Sequence, residues 1–156
     1  MTLINLMEDI KIDLDNLFKK SKFKTSMGEY KTFEIYKGSL PIPDSEESPE
    51  PMPYIIVQLV NGEIRLSSNI VSVRLILATY DDDKNNKGYF DILNAIEKIR
   101  QHYTKYPILN KRYVAKIDDK NSFEWSLPDE DTYPYYFGGI QLNFEVAHCD
   151  REDDFI

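Results

Sequence analysis

The chain has 156 residues, 42% of them hydrophobic and 29% charged, and its 27 acidic and 19 basic residues give a formal net charge of −8. That length and apolar content predict a single folded domain and argue against global disorder. The acidic balance argues against a protein that wraps nucleic acid, and the single cysteine, Cys149, excludes an intrachain disulfide.

An amphipathic helix is predicted over residues 3–20. Apolar residues recur at spacings of three and four, which places them along one face: they are Leu3, Leu6, Met7, Ile10, Leu14, Leu17 and Phe18. Thr2 is the expected N-cap, while Lys19 and Lys20 suit the negative end of the helix dipole. Because acidic residues interrupt the apolar run, we expect packing against a core rather than a signal peptide or a membrane-bound helix.

Three strands are predicted next, at residues 31–38, 54–60 and 70–80. The first alternates apolar and polar side chains, and the other two are rich in β-branched residues. The strand at 70–80 has one apolar and one mixed face, which is typical of an antiparallel sheet covered on one side.

Two segments interrupt these strands. Residues 41–53 contain five prolines and several carboxylates, which predicts a mobile or extended excursion between two strands. The pair Asn61 and Gly62 suits the positive φ values of a tight turn. The next apolar run starts only near Ile70, so the predicted connection is longer than a two-residue hairpin.

A second amphipathic helix is predicted over residues 87–105, ended by Pro107. Its expected stripe consists of Tyr89, Phe90, Leu93, Ile96, Ile99, Arg100 and Tyr103. Strands follow at 112–117 and 123–126, turning through residues 118–121, and a last strand covers 137–147. The order α-β-β-β-α-β-β-β predicts an α+β domain at residues 1–150, with a largely antiparallel sheet, both helices on one face, and a short acidic tail at 151–156.

Five groups of residues could carry chemistry. Asp81, Asp83 and Asn85 match the first ligand positions of a calcium-binding loop. Asn86 and Ile92, however, occupy the positions at which that loop needs glycine and glutamate, so a polar turn is favoured. His102 is expected at the edge of the second helix stripe. Neighbouring residues of a strand point to opposite faces, which disfavours a catalytic pair of His148 and Cys149.

The remaining two groups lie close together before the last strand. Asp129, Glu130 and Asp131 form a proline-flanked loop and are expected to be solvated rather than tuned for acid–base work. Gly138 and Gly139 precede a strand instead of a helix, which indicates a bulge or a close backbone approach rather than a phosphate loop. We therefore expect no enzyme, and no catalytic, cofactor-binding or metal-binding residue.

Aromatic residues beside the acidic loop are the candidate subunit interface, since such residues are enriched at protein interfaces. They are Trp125, Tyr133, Tyr135, Tyr136 and Phe137. The alternative interpretation, left open by the sequence, is that about half of the aromatic residues face the core.

The order of these signals resembles a known family. The stretches PYIIVQLVNGE (53–63), IVSVRLILATYDDD (70–83), GYFDILNAIEKIRQHY (88–103) and WSLPDEDTYPYYFGGIQLNFEV (125–146) resemble phage and prophage tail-completion proteins, the tail-terminator-like group among head–tail joining proteins. The excursion at 41–53 is less typical of that family.

The resemblance implies a structural α+β subunit that forms a hexameric ring, caps the tail tube and joins it to the head. Its implied partners are further copies of itself, tail tube and neck or connector proteins. DNA would pass through the ring without specific binding, since an acidic lumen repels phosphate. No membrane partner and no cofactor are implied. The implied location is the cytoplasm of the bacterial host and then the virion. Another neck or head-closure component, or a small ligand-binding or enzymatic domain, remains the alternative.

Overall fold

The computed structural model describes residues 3–45 and 51–146, and these ranges contain two helices and nine strands. In chain order they are α1 (Leu3–Phe18), β1 (Phe23–Lys24), β2 (Tyr30–Lys31), β3 (Glu34–Lys37), β4 (Tyr54–Ile64), β5 (Asn69–Tyr80), α2 (Lys87–Lys105), β6 (Ile108–Leu109), β7 (Tyr113–Lys116), β8 (Glu124–Ser126) and β9 (Tyr135–Val146). The predicted α+β class is confirmed.

Seven of these strands form one sheet in the order β3-β4-β5-β9-β7-β6, with β8 paired to β9. Its centre is the pair of β5 and β9, in which Asn69 lies opposite Val146 and Tyr80 opposite Tyr135, without a break in register. All pairs in the sheet are antiparallel except β3 with β4. Strands β1 and β2 form a separate two-stranded hairpin.

Both helices pack on the same face of this sheet, as predicted. α1 buries one side chain per turn on that face: Leu6, Ile10, Leu14 and Phe18. α2 does the same with Ile92, Ala95, Ile96, Ile99 and Tyr103. These residues form one hydrophobic cluster with the alternate, inward-facing residues of β4, β5 and β9. The burial of this one face supplies most of the apolar driving force for folding.

The opposite face of the sheet is covered by neither helix, and most of its side chains are partly exposed. Near its β3 end, a smaller cluster joins Tyr54, Ile56 and Ala78, and Leu40 and Met52 pack against it. Leu40 and Met52 belong to the 41–53 excursion or border it, so the excursion is the crossover between parallel strands β3 and β4. Residues 46–50 lie outside the described ranges.

The first helix and first predicted strand differ from expectation in their bounds. The helix ends at Phe18, so Lys19 and Lys20 lie beyond it, and Leu3 is exposed instead of packed. Residues 31–38 do not form one strand but divide between β2 and β3. The division arises because Phe33 turns into the core between the two, where it packs against the rings of Phe18 and Phe23. Thr2 lies outside the described residues.

The predicted turn at Asn61 and Gly62 is wrong. Both residues belong to β4, which continues through a bulge between Leu59 and Asn61. The hairpin turn lies at residues 65–68, where the Arg65 N–H donates to the carbonyl of Ser68 at 2.7 Å. The bulge accommodates one extra residue, and the strand continues beyond it. Asn61 and Gly62 therefore lie within the strand and form no turn.

The predicted turn at residues 118–121 is present between β7 and β8, but these two strands do not pair with each other. Both lie along the same edge of β9, with Lys116 opposite Asn143 and Glu124 opposite Gln141. Asp118 and Asn121 close the loop between them by reciprocal backbone hydrogen bonds of 2.9 and 3.2 Å. Asn143 Nδ2 also donates to Asn121 Oδ1 at 2.9 Å, which attaches this loop to β9. The chain therefore returns to the same edge of β9.

The predicted bounds of α2 are confirmed, but its predicted stripe is partly wrong. Tyr89 is 44% and Phe90 56% exposed, while Ile92 and Ala95 are buried. The buried series begins at Gly88, whose missing side chain leaves no hydrophobic signal in the sequence. The two aromatic residues that follow it therefore fall on the solvent side of the helix.

A polar contact joins the two helices beside the core. His102 Nε2 lies 2.8 Å from Asp13 Oδ2, and both side chains are partly buried. His102 thus lies at the edge of the stripe, as expected. Burial, together with the nearby Asp13 carboxylate, raises the pKa of the Tyr103 hydroxyl well above its ordinary value. Within the described ranges, neither helix is both long and apolar enough to cross a membrane.

Two aliphatic residues of α1 test the packed face directly. Leu14 is fully buried, whereas Ile12 is 50% exposed. We expect Leu14→Ala to lower the free energy of unfolding by about 2–5 kcal/mol, since it removes buried methyl groups and leaves a cavity. Ile12→Ala should change it by no more than about 0.5 kcal/mol. Urea unfolding of both variants measures the difference, and equal losses would contradict this orientation of α1.

Candidate interface at the 127–137 loop

The acidic and aromatic loop is fixed to the chain that leads from β5 into α2. The Asp81 N–H donates to the Pro134 carbonyl at 2.9 Å, and the Tyr133 hydroxyl donates to the Asp82 carbonyl at 2.6 Å. Lys24 reaches the Asp82 carboxylate from the β1–β2 hairpin at 2.5 Å. The hydrogen bond from Lys24 lowers the pKa of that carboxyl. Three separate segments are thereby held at one end of the sheet.

Asp81 is the buried polar residue of this junction, at 2% exposure. Its carboxylate accepts the Asp83 N–H at 2.9 Å and lies 3.4 Å from Lys87 Nζ. Burial opposes the charge on Lys87, but its contacts with Asp91 and Asp81 outweigh this and raise its pKa. Asp83 accepts the Asn85 N–H in turn, so the carboxylates of this loop form a polar turn.

The ring of Tyr136 packs directly on Gly88 at the start of α2. A Cβ placed on Gly88 would lie 2.3 Å from two carbons of that ring, so only glycine fits beneath it. Neither the packing at Gly88 nor the burial of Asp81 is predicted from the sequence. A glycine in the first turn of a predicted helix, where propensity disfavours it, is the signal that could have indicated close packing.

The five predicted interface residues do not form one patch. Trp125 lies opposite Ile140, on the side of the sheet that carries the helices, yet is 55% exposed. Tyr136 also points to that side, while Tyr135 and Phe137 alternate to the open face. The ring of Tyr135 stands edge-on to Tyr80, with centroids 5.5 Å apart. Tyr133, 44% exposed, lies at the end of the sheet between the two sides.

A cleft of about 310 Å³ separates this loop from the first turn of α2. Its apolar walls include Tyr89, Leu127 and Tyr136, and Glu130 and Asp131 line it with carboxylates. Burial is the main cause that raises the pKa of the Tyr136 hydroxyl, so this phenol stays protonated near neutral pH. Among the residues that line the cleft, no hydroxyl or thiol is paired with a histidine base.

The remaining candidates behave largely as the sequence predicts. Asp129, Glu130 and Asp131 are all exposed. Gly138 permits a close approach of α2, since a Cβ there would lie 2.9 Å from the Ile92 side chain. The alternative of a bulge at the glycine pair is wrong, because the β5–β9 register is continuous there. The final strand begins at Tyr135, two residues earlier than predicted.

Within the described residues, no three His, Cys, Asp or Glu side chains are grouped so that they could hold a metal ion. His148 and Cys149, at the end of the chain, lie outside the described residues.

The sequence matches no protein-family model, and no curated protein matches it.

The contact between Gly88 and Tyr136 gives a sharp test of this junction. We expect Gly88→Ala to lower the free energy of unfolding by about 1–3 kcal/mol, since the added methyl group overlaps the ring. We expect this loss of stability even though alanine favours the helical conformation over glycine by about 1 kcal/mol.

Gly139→Ala is the matched control, because the added methyl would meet only the Ser126 hydroxyl, at 3.3 Å. Removing the ring by Tyr136→Ala should abolish most of the cost of Gly88→Ala in a double-mutant cycle measured by chemical denaturation. A Gly88→Ala variant as stable as the wild type would show that the ring does not pack there.

Proposed function

We propose that this protein is a structural subunit of a phage or prophage virion, a tail terminator that caps the tail tube and joins it to the head. One observation carries the proposal: exposed aromatic side chains flank a loop that internal hydrogen bonds hold in place. Trp125 is 55% and Tyr133 44% exposed, and the Tyr133 hydroxyl is anchored on Asp82. A surface held in this way loses little conformational entropy on binding a protein partner.

The stretch at residues 125–146, one of those that resemble the tail-completion proteins, supports this assignment. Residues 125–146 comprise most of β8, the anchored loop and β9, and β9 is the strand on which three other strands assemble. In the proposed role this segment both completes the sheet and presents its end to a neighbouring protein. The protein would act by binding and would catalyse nothing.

The charge of the chain is compatible with this role. A net charge of −8 would favour the passage of DNA through a ring over its retention, since like charges repel. The proposed ring is a hexamer, assembled in the cytoplasm of the bacterial host and retained in the virion. Its partners are tail tube and neck or connector proteins, with no specific binding to nucleic acid and none to membranes.

Binding of Trp125 to a partner can be measured on purified tail tubes. We expect Trp125→Ala to weaken co-sedimentation with tubes about tenfold, because large aromatic residues dominate interface energies. Tyr106→Ala is the control, since Tyr106 is 57% exposed but lies at the C-terminal end of α2. Both variants should unfold at the wild-type denaturant midpoint.

Portal-filled heads provide the second arm of that measurement. Binding to heads in place of tubes would favour the alternative of a neck or head-closure component. If the wild-type protein bound neither particle under assembly conditions, both assignments would be wrong.

The cleft beside α2 favours one further candidate, a small ligand-binding or enzymatic domain. Its volume of about 310 Å³ lies at the lower end for small-molecule sites. Under our proposal, metals, nucleotides and sugars should leave the unfolding temperature unchanged. A reproducible rise that is lost in Tyr89→Ala and Asp131→Ala, two residues lining the cleft, would instead favour the ligand-binding function.

A further inference from the structure

Two apolar surfaces lie apart from the 127–137 loop. The first is the hairpin tip, which we define as residues 63–68 between β4 and β5. There Ile64 is 84% and Leu66 97% exposed. The second is a groove of about 950 Å³ between the β1–β2 hairpin and the crossover from β3 to β4, which we call the crossover groove.

The hairpin tip is closed and regular. Ile64 pairs with Asn69, and the Arg65 N–H donates to the Ser68 carbonyl at 2.7 Å. Arg65 therefore lies between two exposed aliphatic side chains and is the only cation of the tip. It forms an ion pair with Glu63, but both side chains are more than 60% exposed, and such pairs contribute little to stability. The Arg65 guanidinium can therefore exchange Glu63 for another carboxylate at a small cost in free energy.

The crossover groove has the complementary character. Tyr36, Leu40 and Met52 form apolar parts of its lining, and the exposed side chains of Met27 and Ile42 extend them. Three carboxylates and one ammonium group also line it, which gives a net charge of −2: these are Glu29, Glu34, Asp44 and Lys31. Within the described residues, Lys31 pairs with Glu29, while Glu34 and Asp44 form no salt bridge.

We infer that the hairpin tip of one copy docks into the crossover groove of a second copy of this chain. Ile64 and Leu66 would enter the apolar part of the groove, and Arg65 would meet Glu34 and Asp44. The apolar–cation–apolar order of the tip fits an apolar groove with a net negative charge.

The contact joins two different surfaces, so it is heterologous and repeats from copy to copy. Such a contact closes into a ring if the rotation between copies allows it, and otherwise grows into a filament. The inference deepens the proposed function and rests on it, since a tube cap needs a contact of this kind. It adds which residues make that contact.

Complementation between two variants tests the contact. The tip variant, Ile64→Ser with Leu66→Ser, keeps the groove, and the groove variant, Met27→Asp with Ile42→Asp, keeps the tip. All four residues are at least 73% exposed, so both variants should retain the wild-type unfolding midpoint. The control is Leu3→Ser with Ile4→Ser, which removes two exposed aliphatic side chains of α1.

Sedimentation velocity over a range of concentrations is the measurement. The wild type and the control should associate beyond dimers, whereas each variant alone should remain monomeric. An equal mixture of the two variants should stop at a dimer, because one intact tip meets one intact groove. A wild type that stays monomeric at the highest concentration reached, or a mixture that does not associate, would overturn the inference.

A charge exchange provides a second test that does not depend on the apolar substitutions. Arg65→Glu and Glu34→Arg should each weaken self-association about tenfold, and the double variant should recover most of the loss. No recovery in the double variant would contradict the placement of Arg65 beside Glu34.

Tail tubes separate this inference from the proposed function. Self-association through tip and groove without binding to tubes would support the inference and refute the tail role. Binding to tubes by a protein that stays monomeric would support the tail role and refute the inference. If the tip variant lost binding to tubes while self-association was unchanged, the tip would contact a tube protein, which contradicts the inference.

Discussion

The antiparallel pairing of β5 with β9 is the interaction on which the rest of the structure depends. Twelve residues of each strand are paired in unbroken register, so every inward-facing residue of β9 lies beside an inward-facing residue of β5. β4 extends the sheet from β5, and β7 and β8 extend it from β9. Since a shift by one residue would turn each apolar side chain to the other face, this register decides which face the helices can cover.

Coverage of one face only leaves surfaces that are free to bind. Both helices lie on the face that carries Val73, Leu75 and Leu142, and the opposite face is buried only near β3, in the cluster of Tyr54, Ile56 and Ala78. β3 pairs with only the first four residues of β4, so the hairpin projects beyond it. The proposed assembly role would need several separate contact surfaces, and this arrangement is compatible with that need.

The sequence predicted the fold class and the long elements well, because those follow from periodic apolar residues. Both helices and the strands at 54–60, 70–80 and 137–147 were found near their predicted places. It failed where a tertiary contact overrode the local signal. The bulge beyond Leu59 removed the Asn-Gly turn, and Gly88 shifted the buried stripe of α2 away from Tyr89 and Phe90.

The aromatic residues of the candidate interface are close together in the sequence but do not share one face of the sheet. They were grouped because they are neighbours in the sequence. Side chains alternate along β9, however, so Tyr136 lies on one face and Tyr135 and Phe137 lie on the other. The hydrogen bond from Tyr133 to Asp82 joins positions 51 residues apart, and no local pattern could indicate it.

We propose that this one-sided sheet is a structural unit of a larger assembly. The decisive experiment is electron microscopy of purified tail tubes with and without the protein. We expect a ring of density at one end of the tubes only when the protein is present. Tube ends that remain unchanged after incubation with folded protein would contradict it.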